Sequence, residues 1–88
     1  MYLHLGSDII VKYADIVGVF DIENTSISKI TKEYLATSEK EKRVINVSYD
    51  MPKSFVVCEN EDGIKVYISH ISCSTLRKRQ NYLNTIKK

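Results

Sequence analysis

Residues 54–70, SFVVCENEDGIKVYISH, decide the fold of this 88-residue chain. Two runs rich in β-branched and other apolar residues, 54–59 and 64–70, flank the polar segment Asn60-Glu61-Asp62-Gly63. Runs of this kind favour strands, and a short polar segment that ends in glycine is typical of a hairpin turn. The sequence therefore predicts two strands that pair as an antiparallel hairpin.

Four further strands are predicted on the N-terminal side of this hairpin. They cover residues 2–5, 9–12, 15–22 and 44–49. The segment Gly6-Ser7-Asp8 supplies a turn between the first two, and Gly18 inside the third predicts a β-bulge or a close backbone approach. Pro52 is assigned to a loop over residues 50–53, because proline cannot lie inside a central ladder.

Two helices complete the predicted fold. Asn24-Thr25-Ser26 supplies caps for a helix over about residues 26–38, whose apolar positions should pack on the sheet: Ile27, Ile30, Tyr34 and Leu35. The charged connection 37–43 is predicted to be a solvated helix end. Ser72 and Ser74 are good N-caps for a second helix to the C-terminus, with Leu76, Leu83 and Ile86 on one side.

Together these elements predict a single α+β domain over residues 1–88. Its small, mostly antiparallel sheet carries one inserted helix and one C-terminal helix. A domain of this size has a small core, so self-association that covers strand edges is expected. No apolar run approaches the roughly 20 residues of a membrane span. The first residues show no basic leader or signal-type core, so a cytoplasmic protein is expected.

The charges are distributed unevenly along the chain. Residues 63–88 hold six lysines and arginines and no acid, whereas residues 1–62 hold seven basic and eleven acidic residues. A weakly acidic body with a basic end indicates a localised anionic partner rather than general adhesion to nucleic acid.

The basic end contains an unusual helix start. Arg77, Lys78 and Arg79 follow the capping serines, although the first turn of a helix favours acidic residues. A capping box from Ser74 would place Glu or Gln at position 77. Three cations beside free backbone N–H groups predict a site for an anion such as phosphate. The alternative interpretation is a solvated basic face.

Signatures of enzymes are absent from the sequence. It contains no G-x-G-x-x-G, G-x-x-x-x-G-K-[ST], G-x-S-x-G or H-E-x-x-H motif. His4 and His70 each lie in a strand-like segment and are expected to be structural or exposed. Cys58 is interpreted as a small buried hydrophobe, and Cys73 has no sequence-adjacent group that would activate it. We therefore predict no catalysis, no metal and no cofactor.

Four blocks of the sequence resemble the RemA/RemB extracellular-matrix regulators, most closely the RemB branch. They are MYLHLG at 1–6, DIVGVFD at 15–21, PKSFVV at 52–57 and SCSTLRKR at 72–79. The resemblance implies a bacterial cytoplasmic protein related to transcriptional activators of biofilm-matrix genes. It also implies a LytTR-like DNA-binding fold and assembly into closed rings that bind DNA around the rim.

The chain departs from the RemA branch at the DNA-contacting arginines, whose positions correspond to Ala14, Met51 and Pro52 here. Lys12 and Lys53 lie nearby and can partly substitute for them, although lysine is a point charge rather than a bidentate fork. The first hypothesis is a DNA-binding regulatory protein that acts as a homo-oligomeric ring. Its predicted contacts to double-stranded DNA are Lys12, Lys53, Arg77, Lys78 and Arg79. The alternative is a non-enzymatic adaptor or assembly ring that binds a protein or an anionic ligand.

Overall fold

Six strands and two helices make up the part of the chain that the computed structural model describes, residues 1–22 and 29–86, with side chains described as far as residue 79. The predicted α+β class is confirmed. The strands are β1 (Tyr2–Gly6), β2 (Ile9–Lys12), β3 (Ile16–Asp21), β4 (Val44–Asn46), β5 (Ser54–Asn60) and β6 (Gly63–Ser69). The helices are α1 (Lys29–Lys40) and α2 (Cys73–Ile86), and a 3₁₀ turn, Tyr13–Asp15, joins β2 to β3.

The predicted hairpin lies at the centre of a four-stranded sheet with the order β3-β5-β6-β4. Strands β5 and β6 pair antiparallel from Ser54↔Ser69 to Asn60↔Gly63, which confirms the hairpin. Strand β3 pairs antiparallel with β5, and its register shifts between Ile16 and Gly18, so the bulge predicted there is present. Strand β4 is the exception, because it runs parallel to β6.

Strands β1 and β2 form a separate two-stranded sheet rather than part of one continuous sheet. The 3₁₀ turn after β2 redirects the chain, and β3 then pairs with β5 instead of with its neighbours in sequence. The hydroxyl of Ser69 on β6 donates a buried hydrogen bond of 2.6 Å to the main-chain oxygen of Leu5 on β1. This bond links the two sheets directly.

The core has two parts because β5 is covered on both faces. Val56 and Cys58 point to one face, where they pack with Leu3, Leu5 and Leu76. Cys58 is therefore the buried hydrophobe that the sequence predicts. The intervening residues of β5 point to the other face, where Phe55 and Val57 form a second buried cluster with Val66 of β6. Partly buried side chains of α1 and β6 pack against this cluster: Tyr34, Leu35, Ile64 and Ile68.

Helix α1 differs from its predicted packing. Ile30 was expected in the core, but it is 79% exposed, while Tyr34 and Leu35 are half-buried against the sheet. Tyr34, Leu35 and the fully buried Ser38 lie in the later turns of α1, whereas its first turn borders an open groove beside β3. The predicted caps and Ile27 lie outside the described residues, as do the side chains of Leu83 and Ile86. The connection after α1 is a solvated helix end, as predicted, with Lys42 in the left-handed conformation at φ 61°.

Strand β4 is shorter than predicted, because the segment 47–53 leaves the sheet as a loop. The N–H of Val47 still donates to the Ile68 oxygen at 2.9 Å, and the chain then turns away. The Ser48 hydroxyl accepts the N–H of Asp50 at 3.1 Å, a local turn that competes with ladder pairing. The side chain of Tyr49, which lies in this turn, is entirely exposed.

Candidate nucleic-acid interface

Ser72 is the cap of α2, which begins at Cys73. The prediction that the cluster 77–79 lies in the first turn is therefore wrong, because these residues lie one turn beyond the free N–H groups at the helix start. The N–H of Thr75 donates to the Ser72 hydroxyl at 3.3 Å, and the Ser72 main-chain oxygen accepts the N–H of Leu76 at 3.1 Å. The Ser72 hydroxyl also lies 2.9 Å from the Thr75 hydroxyl and 3.2 Å from that of Ser74. The cap thus already satisfies one of the helix N–H donors that a phosphate would need.

Two buried side chains fix the start of α2 against both sheets. Leu76 is inaccessible to solvent and Cys73 is 7% exposed, and the thiol of Cys73 lies 3.7 Å from the Val19 oxygen. Because residues three apart share one face of a helix, this pair defines the inward face. The neighbouring basic residues are exposed.

The two arginines of the basic cluster each reach a main-chain carbonyl. Nη2 of Arg77 donates to the Val19 oxygen on β3 at 3.2 Å, and Nη1 of Arg79 donates to the His4 oxygen on β1 at 2.9 Å. A guanidinium has five N–H donors, so both retain donors and charge for an anion. They nevertheless also bridge α2 to two different sheets, a role that the sequence did not reveal. Lys78 stands exposed between them.

Lys53 is presented by a rigid backbone at the end of the larger sheet. Its N–H donates to the Ser69 oxygen at 2.9 Å, and its own oxygen accepts the N–H of Ile22 at 3.0 Å. The side chain is exposed. Among these four predicted DNA contacts, Lys53 and Lys78 extend freely into solvent from backbone that is held in place. Arg77 and Arg79 instead use part of their guanidinium donors on main-chain carbonyls.

The structure does not bring Lys12 together with Lys53. Lys12 ends β2 and lines a cleft beside the β5–β6 turn, whereas Lys53 precedes the opposite end of β5. The seven residues of β5 span about 20 Å at roughly 3.3 Å per residue. The predicted contacts thus occupy at least two separate regions of the surface.

The cleft at Lys12 has mixed charge. It has a volume of about 580 Å³, and its lining includes Lys12 and Lys65 together with the carboxylates of Asp15, Glu61 and Asp62. Carboxylates repel phosphate, so this cleft is a poorer place for a DNA backbone than the surface at Lys53 or Lys78. This charge balance is visible only in the folded chain, because Lys12 and the hairpin acids are distant in sequence.

Burial raises the pKa of two titratable groups that line the cleft. Burial, and next the charge of Asp15, raises the pKa of the Cys58 thiol to about 11. Burial, and next the charges of Cys58 and Asp15, raises the pKa of Tyr67 above its ordinary value. A thiol with a raised pKa is a poor nucleophile, so Cys58 is inert in this environment.

The imidazole rings of the two histidines make their contacts outside the basic cluster. Nε2 of His4 lies 2.7 Å from the Ser7 oxygen, and the ring of His70 packs against Gly6. Within residues 1–22 and 29–86, no group of three or more His, Cys, Asp or Glu side chains could hold a metal ion. Among the described helices, none is long and apolar enough to cross a membrane.

The three positions at which the resemblance implies arginines are all on the surface. Ala14, Met51 and Pro52 are exposed and carry no charge. Met51 is 80% exposed, and Tyr49, two residues earlier in the same loop, is entirely exposed. The exposure of Tyr49, Met51, Val17 and Ile30 was not predicted, because the spacing of apolar residues in a sequence does not show which of them lack a covering element.

The fold and its exposed cations define a small α+β domain with a basic cluster at the start of its second helix. Residues 2–80 match the family model described as RemA-like, Extracellular matrix regulatory protein A-like. Over 83 residues, 94% of each chain, the sequence is 41% identical to Extracellular matrix regulatory protein B of Bacillus subtilis (strain 168). The chain belongs to the RemA-like family, which confirms the resemblance read from its four sequence blocks.

Proposed function

We propose that this chain is a cytoplasmic regulator of extracellular-matrix genes that binds double-stranded DNA as a homo-oligomeric ring. The descriptions of the family and of the regulatory protein B relative support the regulatory role. The observation that carries the DNA contact is the exposure of Lys53 and Lys78 on rigidly held backbone, with the charges of Arg77 and Arg79 beside Lys78. As part of the same proposal, the domain has the LytTR-like DNA-binding fold that the family resemblance implies.

A ring compensates for the small number of cations on each subunit. Phosphate contacts give affinity without sequence readout, and each subunit offers only a few of them. A closed ring repeats these contacts, so the second and later contacts become intramolecular and the overall affinity rises. Sequence preference would then come from the shape of the DNA groove.

Fluorescence anisotropy of a labelled duplex, titrated at several salt concentrations, tests this proposal. Affinity should fall steeply with salt, and Lys53→Ala and Lys78→Ala should each reduce the salt slope by about 1. Lys40→Ala is the matched control, since Lys40 is exposed in the last turn of α1, which covers the face of the sheet opposite to α2. Absence of binding at low salt would contradict the DNA role.

A second candidate function is an adaptor or assembly ring that binds a protein or an anionic ligand. The uncharged surface at Ala14, Met51 and Pro52 favours it, as do the carbonyl contacts of Arg77 and Arg79. Light scattering separates the assembly from the DNA contact. A mass well above the 10.1 kDa of one chain, without DNA binding, would select the adaptor ring.

A further inference from the structure

We propose that the outer edge of β2, with the cleft beside it, binds an extended segment of a partner protein that carries both a basic and an acidic side chain. The cleft is the cavity of about 580 Å³ that β2 and the β5–β6 turn line together. The inference goes beyond the DNA contact proposed above, which lies at Lys53 and Lys78, and does not depend on it.

The main-chain groups of Ile10 and the N–H of Lys12 point away from β1. The N–H of Tyr13 donates to the Met1 oxygen at 2.9 Å, so these two residues form a hydrogen-bonded pair. Hydrogen-bonded and non-hydrogen-bonded pairs alternate along an antiparallel ladder. The next pair, Tyr2↔Lys12, is therefore non-hydrogen-bonded, and so is the pair that contains Ile10. In the described part of the chain, no other strand pairs with the outer edge of β2.

Helix α2 covers the outer edges of two other strands but not that of β2. Arg79 donates to the His4 oxygen on β1, and Arg77 donates to the Val19 oxygen on β3. Among the described residues, no hydrogen bond from α2 reaches β2. Open strand edges are surfaces to which an extended peptide adds as a further strand, because its main chain completes the ladder.

The cleft runs along this open edge. Three consecutive residues of β2 line it: Ile10, Val11 and Lys12. Because successive side chains of a strand alternate between its faces, three consecutive residues line one cavity where that cavity follows the edge. The four residues of β2 span about 13 Å at roughly 3.3 Å per residue, so a segment of similar length pairs with them.

The charges that line the cleft have both signs and do not pair with each other. The cations are Lys12 and Lys65, and the carboxylates are those of Asp15, Glu61 and Asp62. Within the described part of the chain, the ion pairs lie elsewhere, on α1 and just after it. A segment that brings one cation and one carboxylate is attracted by both sets, whereas a phosphate chain is repelled by the carboxylates.

Asp15 gives the cleft a partly buried carboxylate. Its side chain makes neither a hydrogen bond nor an ion pair with the described residues. It lies close enough to Cys58 that its charge, after burial, helps to raise the pKa of that thiol. Polar groups that are partly removed from water favour a hydrogen-bonding partner, so a basic side chain is the chemistry that this position selects.

A second copy of β2 does not match the cleft. Residues 9–12 contain one lysine and no acid, so a second β2 would bring charge of one sign only. Charged side chains beside an open edge also discourage the edges of identical chains from pairing. The cleft therefore favours a different protein, one whose extended segment carries charges of both signs.

Amide NMR titration with short capped peptides tests the proposal. The probe is acetyl-Thr-Lys-Thr-Glu-Thr-amide, whose β-branched residues favour an extended chain and whose charged side chains lie on one face. It should shift the amide signals of Ile10 and Lys12 and slow their hydrogen exchange, because both N–H groups become hydrogen-bonded. A peptide with glutamine at both charged positions should bind about fivefold more weakly. A version with methylated main-chain nitrogens keeps the charges but lacks the ladder donors, so it should not bind.

Two exposed positions of the cleft supply the variants. Lys65→Ala and Glu61→Gln should each weaken binding of the mixed-charge peptide by about two- to fivefold and leave binding of the neutral peptide unchanged. Glu39→Gln and Lys40→Ala, at exposed positions on α1, are the matched controls and should bind like the wild type.

Each contrary outcome would overturn a stated part of the proposal. Absence of shifts at millimolar peptide, or binding of the methylated peptide, would overturn strand addition. Equal affinity for the charged and the neutral peptide would overturn charge recognition. Slow exchange of the Ile10 and Lys12 amides without peptide would show that another copy already covers the edge. Lys65→Ala should leave the anisotropy titration with DNA unchanged, so this contact and the DNA contact fail independently.

Discussion

Nη1 of Arg79 donates a hydrogen bond of 2.9 Å to the main-chain oxygen of His4, a residue 75 positions earlier in the chain. Together with the bond from Arg77 to Val19, it ties α2 to both sheets. The basic cluster therefore combines two roles that its sequence does not separate: it offers positive charge to solvent, and it holds the helix in place.

Arg79→Ala should destabilise the protein, whereas Lys78→Ala should not. A hydrogen bond from a charged donor contributes about 1.5–3 kcal/mol when buried, and solvent at this exposed site reduces the expected loss to about 1 kcal/mol. Lys78→Ala should change the free energy of unfolding by less than about 0.5 kcal/mol. Urea unfolding measures both. Equal midpoints for the two variants would show that the Arg79 contact contributes nothing to stability.

Gly18→Ala should destabilise the protein through Phe20. The added Cβ would lie 2.7 Å from Cζ and 2.8 Å from Cε2 of that ring, so the ring must leave its stack on Phe55. Aromatic pairs contribute about 0.5–1.5 kcal/mol beyond their buried area, and a loss of this size is expected. A double-mutant cycle with Phe20→Ala checks the cause. If Gly18→Ala costs as much in the Phe20→Ala background as in the wild type, the clash is not with Phe20.

Ser69→Ala should weaken the link between the two sheets. The Ser69 hydroxyl donates to the Leu5 oxygen at 2.6 Å and accepts the N–H of Ile71 at 3.0 Å. Its removal leaves a buried carbonyl without its donor, which costs about 1–3 kcal/mol. Chemical denaturation gives the free energy of unfolding. Ser74→Ala, at an exposed helix position, is the control and should lie close to wild type.

Cys58 should make the protein less stable at alkaline pH. The thiol has a pKa of about 11 in the folded protein and 9.0 as its ordinary value, so the folded state holds this proton more tightly. The stabilisation is complete below pH 9 and is lost as the pH rises from there through the folded value. Unfolding midpoints for wild type and Cys58→Ala between pH 7 and pH 11 test this. Parallel curves for the two proteins would contradict it.

Local chemistry was sufficient to predict most elements of the fold. Residues 54–60 and 63–69 form the hairpin because both runs are rich in β-branched and other apolar residues and glycine permits the turn, with Gly63 at φ 110°. Ser72 caps α2 because its hydroxyl accepts a first-turn N–H. Gly18 lies beside the register shift of β3, and its missing side chain leaves room for the ring of Phe20 two residues later. Each of these outcomes depends on contacts within a few residues or across one turn.

The packing partners of the elements depend on contacts that sequence periodicity does not contain. Ile30 has the helical spacing of a core residue, yet it borders a groove because the first turn of α1 does not pack on the sheet as the later turns do. The segment after Asn46 has strand propensity, yet it leaves the sheet through a local turn at Ser48. Propensity identifies an amphipathic element but not the surface that covers it.

Five features could be inferred from the amino-acid order alone: the α+β class, the hairpin, the cap of α2, the burial of Cys58 and membership of the RemA-like family. They follow from local hydrogen bonding, hydrophobic periodicity and four sequence blocks in the order typical of the family. The folded chain was needed to show that Lys12 and Lys53 lie at opposite ends of β5, that Arg77 and Arg79 bind carbonyls, and that an apolar groove stays open beside β3. These features depend on the distances between residues that are far apart in the chain, and folding alone sets those distances.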